Sequence, residues 1–495
     1  MLACGLLPSV FFLIGGAWPG PEATRLAGII AAYGLGALPY LYVYRGWRSF
    51  PHCHKALIRL LLVAATARVV LLLLPPLLSE DLWRYLWDGS VQWSGINPYA
   101  HAPNSAAVDA VATTPTLEAI RARIGHAHIP TIYPPAAQVV FGAATVAGPS
   151  SAVMRLFMIG ADLLVVLGLW RWSQRRGSAP QVAILYAFAP LAIAESAIGS
   201  HVDAVGVAAL VLTGSALAAG RWGRAGVALA VSVGTKLMPV LVFPTLCGRH
   251  WKAVAVAVVV CVALGLPYLD AGGELLEGLR SYGHRWRAND GAFALILAGF
   301  HQIWTPSATP VALDPHWVQL VRGLVGPSQG ALPHQVWPDE LAFAATKLVV
   351  GGLFGLVLLH RLWRARSLEG FFGPVVVALM LLSPVVHPWY LLWGLPFALL
   401  ALARVSPQPT VGVLAPAKSH HRQQAHGAGP VFWARPFLLW TGLVFLAYVP
   451  RPHYLQTGQW IVEPGLRLLE YVPVWTALVV GAALAARAKW SHWGT

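Results

Sequence analysis

The chain has 495 residues, 57% of them hydrophobic and only 11% charged, with a formal net charge of +15. Several apolar runs reach the ~20 residues that a membrane-crossing helix needs, which excludes a soluble globular domain and predicts an all-α polytopic integral membrane protein. The basic residues sit in short clusters beside apolar runs, so they set orientation rather than bind a polyanion, and nucleic acid is not an expected partner.

In chain order, the run 1–18 reads as a first span, and Arg45, Arg48 and Lys55 mark the cytoplasmic side by the positive-inside rule. The run 56–78 then leads outward into the polar stretch 79–103, SEDLWRYLWDGSVQWSGINPYAHAP. Glu80 and Asp81 fall at the membrane surface, where a carboxylate keeps some water. Ser79 suits a helix cap, and Arg84 with Asp88 has the i, i+4 spacing of an ion pair. On a helix, Asp81, Arg84 and Asp88 share one face. Asn97-Pro98-Tyr99 after Gly95 reads as a turn, because proline fixes φ and pushes the residue before it out of the helical region. Tyr133-Pro134-Pro135 closes this first large loop.

The run 136–148 is too short to span and predicts a re-entrant or interfacial piece, because 151–170 must run inward to Arg171, Arg175 and Arg176. Asp162, deep in that span, calls for a function or a buried partner, with Arg68 the candidate. The run 226–246 is interrupted by Lys236-Leu237-Met238-Pro239, which predicts two half-helices, and 291–304 is again short. The expectation is about 12 transmembrane helices with re-entrant or half-helix segments and both termini cytoplasmic. Residues 1–403 form the core, with extracytoplasmic loops 79–135 and 270–340. Residues 404–436, with His420, His421 and His426, read as a flexible cytoplasmic loop, and 437–495 as C-terminal transmembrane helices. The four cysteines have no disulfide or zinc spacing.

Under this topology one leaflet receives Glu80, Asp81, Arg84, Asp88, Asn97 and Tyr99, then His201 and Asp203, then Arg285, Arg287 and Asn289, and then His387, Trp389 and Tyr390. Glu195 and Arg451 join them, and Lys236 stands beside the helix break. A carboxylate against an apolar wall has a raised pKa and is suited to take a proton from a hydroxyl, while cations stabilise a departing phosphate. The set fits group transfer between a lipid phosphate and an alcohol. Glu80, Asp81, Asp88 and Asp203 could offer oxygens to a divalent metal, but no spacing selects one, and neither metal nor cofactor is expected.

The runs SEDLWRYLWDG, GINPYAHAP, TIYPP, GSHVDA (199–204), TKLMPVLVFP (235–244), RWRANDG (285–291) and SPVVHPWYLLWGLP (383–396) together resemble a known family. They are similar, in order, to bacterial GT-C glycosyltransferases, in particular the polyprenyl-phosphate-mannose-dependent α-mannosyltransferases of actinobacterial type. The resemblance implies a GT-C fold in the cell membrane. It also implies inverting transfer of a hexose, mannose in those enzymes, from a polyprenyl-phosphate donor to a glycan or lipid-linked acceptor on the extracytoplasmic side. The acidic residue of the first loop would be the base, here Asp81 with Glu80 as its neighbour and alternative. Arg285 and Arg287, with His201 or Lys236, would hold the phosphate, and Trp389 and Tyr390 would stack on the sugar or line the lipid groove. A flippase or transporter of a lipid-linked sugar is the rival reading, since it too needs broken helices and buried charge.

Overall fold

The structure, a computed structural model, describes all residues except 305–308, 366, 405–430 and 492–495, and leaves the side chains of Arg285 and 488–491 undescribed. The expected loop 404–436, including His420, His421 and His426, therefore lies almost wholly outside the described residues. Among the described residues the fold is helical, apart from a two-stranded antiparallel pairing of Val311–Ala312 with Gln335–Val336 and one bridge between Ala288 and Val385.

Among the described residues six helical stretches are long and apolar enough to cross a membrane: Glu22–Ser49, His54–Leu73, Ser151–Arg175, Met238–His284, Pro338–Arg364 and Pro464–Arg487. The pair Pro180–Ala187 and Pro190–Ala197, bent by 58°, makes a seventh if taken as one span. Continuous helices thus fall short of the expected twelve. Other apolar runs yield shorter helices, such as Leu2–Gly16, Asp203–Ala218, Ala292–Ile303 and Leu368–Leu382. Pro384 shows why: it disfavours helical geometry in the residue before it, and Ser383 is extended with ψ 142°. The run 226–246 breaks where expected. Its first helix ends at Thr235, Lys236 is extended (φ −155°, ψ 138°), and Pro239 sits in the short turn Met238–Val242.

The buried centre is tied by charge as well as by apolar packing. Arg68 Nε lies 2.6 Å from Asp162 with both side chains fully buried, and Tyr186 donates to the same carboxylate at 2.7 Å. That settles Asp162 as a structural partner. Arg155 donates to the carbonyls of Leu71, Leu74 and Ala197 at 2.7, 2.6 and 2.8 Å, satisfying backbone groups that helix ends leave open. The two ends of the bundle differ in character. At one, Arg176 and Arg404 both pair with Glu369, and Arg361 donates to the carbonyl of Gly370. At the other, Met154 and Met158 near the start of Ser151–Arg175 pack with Leu82, Tyr85 and Phe141, which seats the helix Asp81–Trp93. Gly89 allows that helix to touch Pro135–Thr145, since a Cβ there would lie 2.4 Å from the Phe141 carbonyl oxygen.

Candidate active site

The polar stretch begins a helix at Asp81, and Ser79 Oγ accepts the Asp81 amide N–H at 3.1 Å, capping the first turn. Asp81 is thereby held at a helix start, enclosed by protein yet with about a third of its side chain open (32%). Burial is the main influence on its carboxyl, opposed by the Lys236 ammonium and reinforced by Asp203. The Tyr133 hydroxyl also opposes the shift, and the net result is a pKa pushed up to about 6.

His201 stands behind this carboxylate. Its Nε2 lies 3.8 Å from Asp81 Oδ2 and its Nδ1 lies 2.9 Å from Glu195 Oε2, a contact without hydrogen-bond alignment. Glu195 is fully buried and accepts from the Tyr448 hydroxyl at 3.1 and 3.2 Å. The intervening turn is tight. A Cβ on Gly199 would meet the His201 ring at 2.7 Å, and Ser200 adopts a left-handed φ of 61°, which costs a non-glycine residue about 1–3 kcal/mol. Such a turn persists only where its surroundings over-determine it.

Asp203 anchors the other side, accepting from Lys236 Nζ at 2.7 Å and from Trp393 Nε1 at 2.6 Å. Gly206 makes room for Trp393, whose ring would lie 2.4 Å from a Cβ at that position. Lys236 Nζ also lies 3.8 Å from the Tyr390 ring centroid, and the Tyr390 hydroxyl shares a 2.5 Å hydrogen bond with Tyr282. The extended residue at the helix break therefore brings a cation into the site, paired with Asp203 and lying over Tyr390.

Several residues expected to touch substrate are occupied elsewhere. Arg84 pairs with Asp88 at 2.8 Å and donates to the Ile129 carbonyl at 2.9 Å, while Gln138 donates to the buried Asp88 at 3.2 Å. This pair is buried scaffold, not a surface ion pair. Asn97 accepts the Tyr99 amide N–H at 3.0 Å and donates to Tyr268 O at 3.1 Å, and the Tyr99 hydroxyl donates to Tyr133 O at 2.6 Å. They stitch the first loop to the segment Leu266–Leu276 and set the Tyr133 backbone. Arg287 is bridged to Asp290 at 2.6 Å, and Arg467 reaches the same carboxylate at 3.2 Å. Asn289, at a left-handed φ of 50°, donates to both Glu470 oxygens at 3.0 Å and accepts from the Tyr471 hydroxyl at 2.6 Å. The Arg285 side chain lies outside the described residues.

Two roles change with the electrostatics. Burial and Lys236 hold His201 well below the usual imidazole range and His387 down to about 3, so both are neutral at pH 7 and give a phosphate no positive charge. Trp389 stacks on both rings, 3.7 Å from His201 and 4.3 Å from His387, so its indole is not a free platform for a sugar. The less buried Trp286, 4.8 Å from Tyr282 and 4.3 Å from His126, is the more available aromatic. Glu80 points away toward Arg451, at 3.4 Å, and against Gly125. Among the described residues no three His, Cys, Asp or Glu side chains gather as a metal site would require.

Sequence reasoning placed Glu195 on the candidate leaflet and Tyr133 at the end of the first loop without a chemical role for either, and did not single out Tyr282, Tyr448 or Glu470. A carboxylate inside the apolar run around Glu195 was the available signal. Tyr448 and Glu470 lie beyond the last recognisable motif, and nothing local marks them.

A family model for the alpha-(1->6)-mannopyranosyltransferase N-terminal domain matches residues 5–252, and one for glycosyltransferase family 87 matches residues 131–384, each about half of the chain. No curated protein and no solved structure matches. Asp81, His201, Asp203 and Lys236 fall within the matched residues, whereas Arg451, Glu470 and Tyr448 lie beyond both. With its apolar helices and these two matches, the chain belongs to the alpha-(1->6)-mannopyranosyltransferase family and to glycosyltransferase family 87, and it is a membrane glycosyltransferase.

Proposed function

We propose that the protein moves a mannosyl group from a polyprenyl-phosphate donor to a hydroxyl of a glycan or lipid-linked acceptor, on the extracytoplasmic side, with inversion. The α-(1→6) linkage is proposed from the matched family. The observation that carries the reading is Asp81: a partly open carboxylate at a helix start, its pKa pushed up to about 6. It faces a lysine-centred polar cluster. Asp81 takes the proton of the acceptor hydroxyl as that oxygen bonds to the anomeric carbon. The bond from that carbon to the phosphate oxygen breaks, and polyprenyl phosphate leaves with the electron pair. One displacement inverts the anomer.

Lys236, the cation whose charge acts most strongly on Asp81, offsets charge growing on the phosphate. Neutral His201, backed by Glu195, orients the base without competing for its proton. Membrane location of the donor agrees with a site at one end of an apolar bundle, and the basic residues at the other end support the extracytoplasmic assignment.

The test uses purified protein in liposomes and radiolabelled polyprenyl-phosphate mannose, comparing wild type with Asp81→Asn and Glu80→Gln. Transfer lost in Asp81→Asn and kept in Glu80→Gln is the expected result. Loss in Glu80→Gln alone moves the base by one residue. Movement of donor between leaflets without transfer to any acceptor replaces this reading with the flippase.

A further inference from the structure

A cavity lies at the end of the bundle opposite the candidate active site. It is walled by Trp172, Arg176, Leu217, Arg249 and the start of the helix Leu368–Leu382, and has an empty volume of about 1030 Å³ that includes its open mouth. The helix Asp203–Ala218 joins the two sites: its first residue binds Lys236, and its far end forms the cavity wall. At 1.5 Å per residue that separates them by about 22 Å, most of a bilayer's hydrocarbon thickness.

We infer that this cavity is a binding site for a phosphate group, presented by an anionic phospholipid of the leaflet opposite the active site. Three independent features point to it. Charge is the first: Glu369, only 4% exposed, is matched by both Arg176 and Arg404, while Arg249 on the rim has no carboxylate partner among the described residues. The pocket therefore holds cations in excess of its acid.

Unmet hydrogen bonding is the second. Trp172 is 1% exposed, and its indole N–H has no acceptor. A buried donor without a partner is costly, and an anion in the cavity whose wall it forms would supply one. The first turn of Leu368–Leu382, capped by Ser367 on the same wall, adds backbone N–H groups and a favourable dipole.

Position is the third feature. Beside the rim, Trp222 and Trp251 are 50% and 60% exposed, and Lys252 Nζ lies 5.8 Å from each ring. An exposed pair of indoles sharing a lysine is the pattern of a membrane–water interface. Leu217, Leu246 and Leu368 on the wall suit the upper part of an acyl chain, which a free phosphate would not use. Basic pockets between transmembrane helices bind acidic headgroups for these reasons.

The experiment is native mass spectrometry of the full chain released from an uncharged detergent, titrated with phosphatidylglycerol or phosphatidylcholine. Wild type should retain phosphatidylglycerol in clear preference. Arg249→Glu should weaken that retention by roughly tenfold, Arg249→Gln by a smaller factor, and Arg249→Lys little. Circular dichroism and Tm in lipid-free detergent verify folding of each variant. Equal retention of both lipids, or phosphatidylglycerol binding unchanged in folded Arg249→Glu and Arg249→Gln, overturns the proposal. So does displacement of the lipid by millimolar inorganic phosphate, which would make the ligand a free anion.

Discussion

The state of Asp81 makes the pH dependence of transfer the most informative measurement. A base must be ionised to act. With a pKa of about 6, Asp81 is roughly 90% ionised at pH 7 and roughly 10% at pH 5. kcat/KM should therefore fall about tenfold between those values, whereas a carboxylate at its ordinary value would lose almost nothing. Lys236 acts on the group in the opposite sense to burial, so Lys236→Met should move the acid limb to higher pH. The assay is initial-rate transfer from labelled polyprenyl-phosphate mannose at pH 5 to 8, at subsaturating donor. A flat profile over that range, or a limb that Lys236→Met leaves in place, refutes the reasoning. The same shift bears on folding. A carboxyl raised in the folded state costs stability as pH climbs through the interval from about 4 to 6, so Asp81→Asn should be at least as stable as wild type at pH 7 while losing transfer.

Other outcomes follow from the packing. Glu80→Gln should keep most transfer, because Glu80 is engaged by Arg451 rather than facing Lys236, and initial rates check this. Arg68→Met strands Asp162 in the core and should cost about 3–5 kcal/mol, whereas Arg68→Met with Asp162→Leu should recover much of it; thermal unfolding in detergent reads both. Gly89→Ala drives a Cβ into the Phe141 carbonyl and should destabilise by about 1–3 kcal/mol or more, with the same readout. Asn289→Ala frees Glu470 from the loop while the Tyr471 hydroxyl keeps the backbone carbonyl of residue 289, and it should lower kcat with little change in Tm, as a displaced loop rather than an unfolded one would do.

Where the chemistry is local, the sequence was readable. The polar interruption at 79–103 located the helix that carries Asp81, and a Lys-x-x-Pro break inside an apolar run located Lys236. Each depends on residues a few positions apart, which proline geometry and capping decide. Asp162 could be matched with Arg68 because few charges lie deep in apolar runs. The remainder depends on long-range pairing that leaves no periodic trace. Tyr448 meets Glu195 across 253 positions and Asn289 meets Glu470 across 181. Trp389 read as a surface for the sugar or the lipid groove because aromatic residues beside a site often are. Only the folded chain shows two imidazoles already stacked on it. Among the described residues six or seven of the expected spans are continuous helices, because an apolar run shows that a segment avoids water, not whether its helix continues without a break.

The contacts of Asn289 with Glu470 and Tyr471, of Glu80 with Arg451 and of Glu195 with Tyr448 have a consequence for how the protein is made. Glu80, Glu195 and Asn289 are held by residues between 448 and 471, which follow them in the chain. As the chain threads into the membrane, Glu80, Glu195 and Asn289 arrive without these partners, which come only with residues 448 to 471. A chain cut before residue 448 would present the base without the partners that hold Glu80, Glu195 and Asn289, so catalytic competence waits on that later segment.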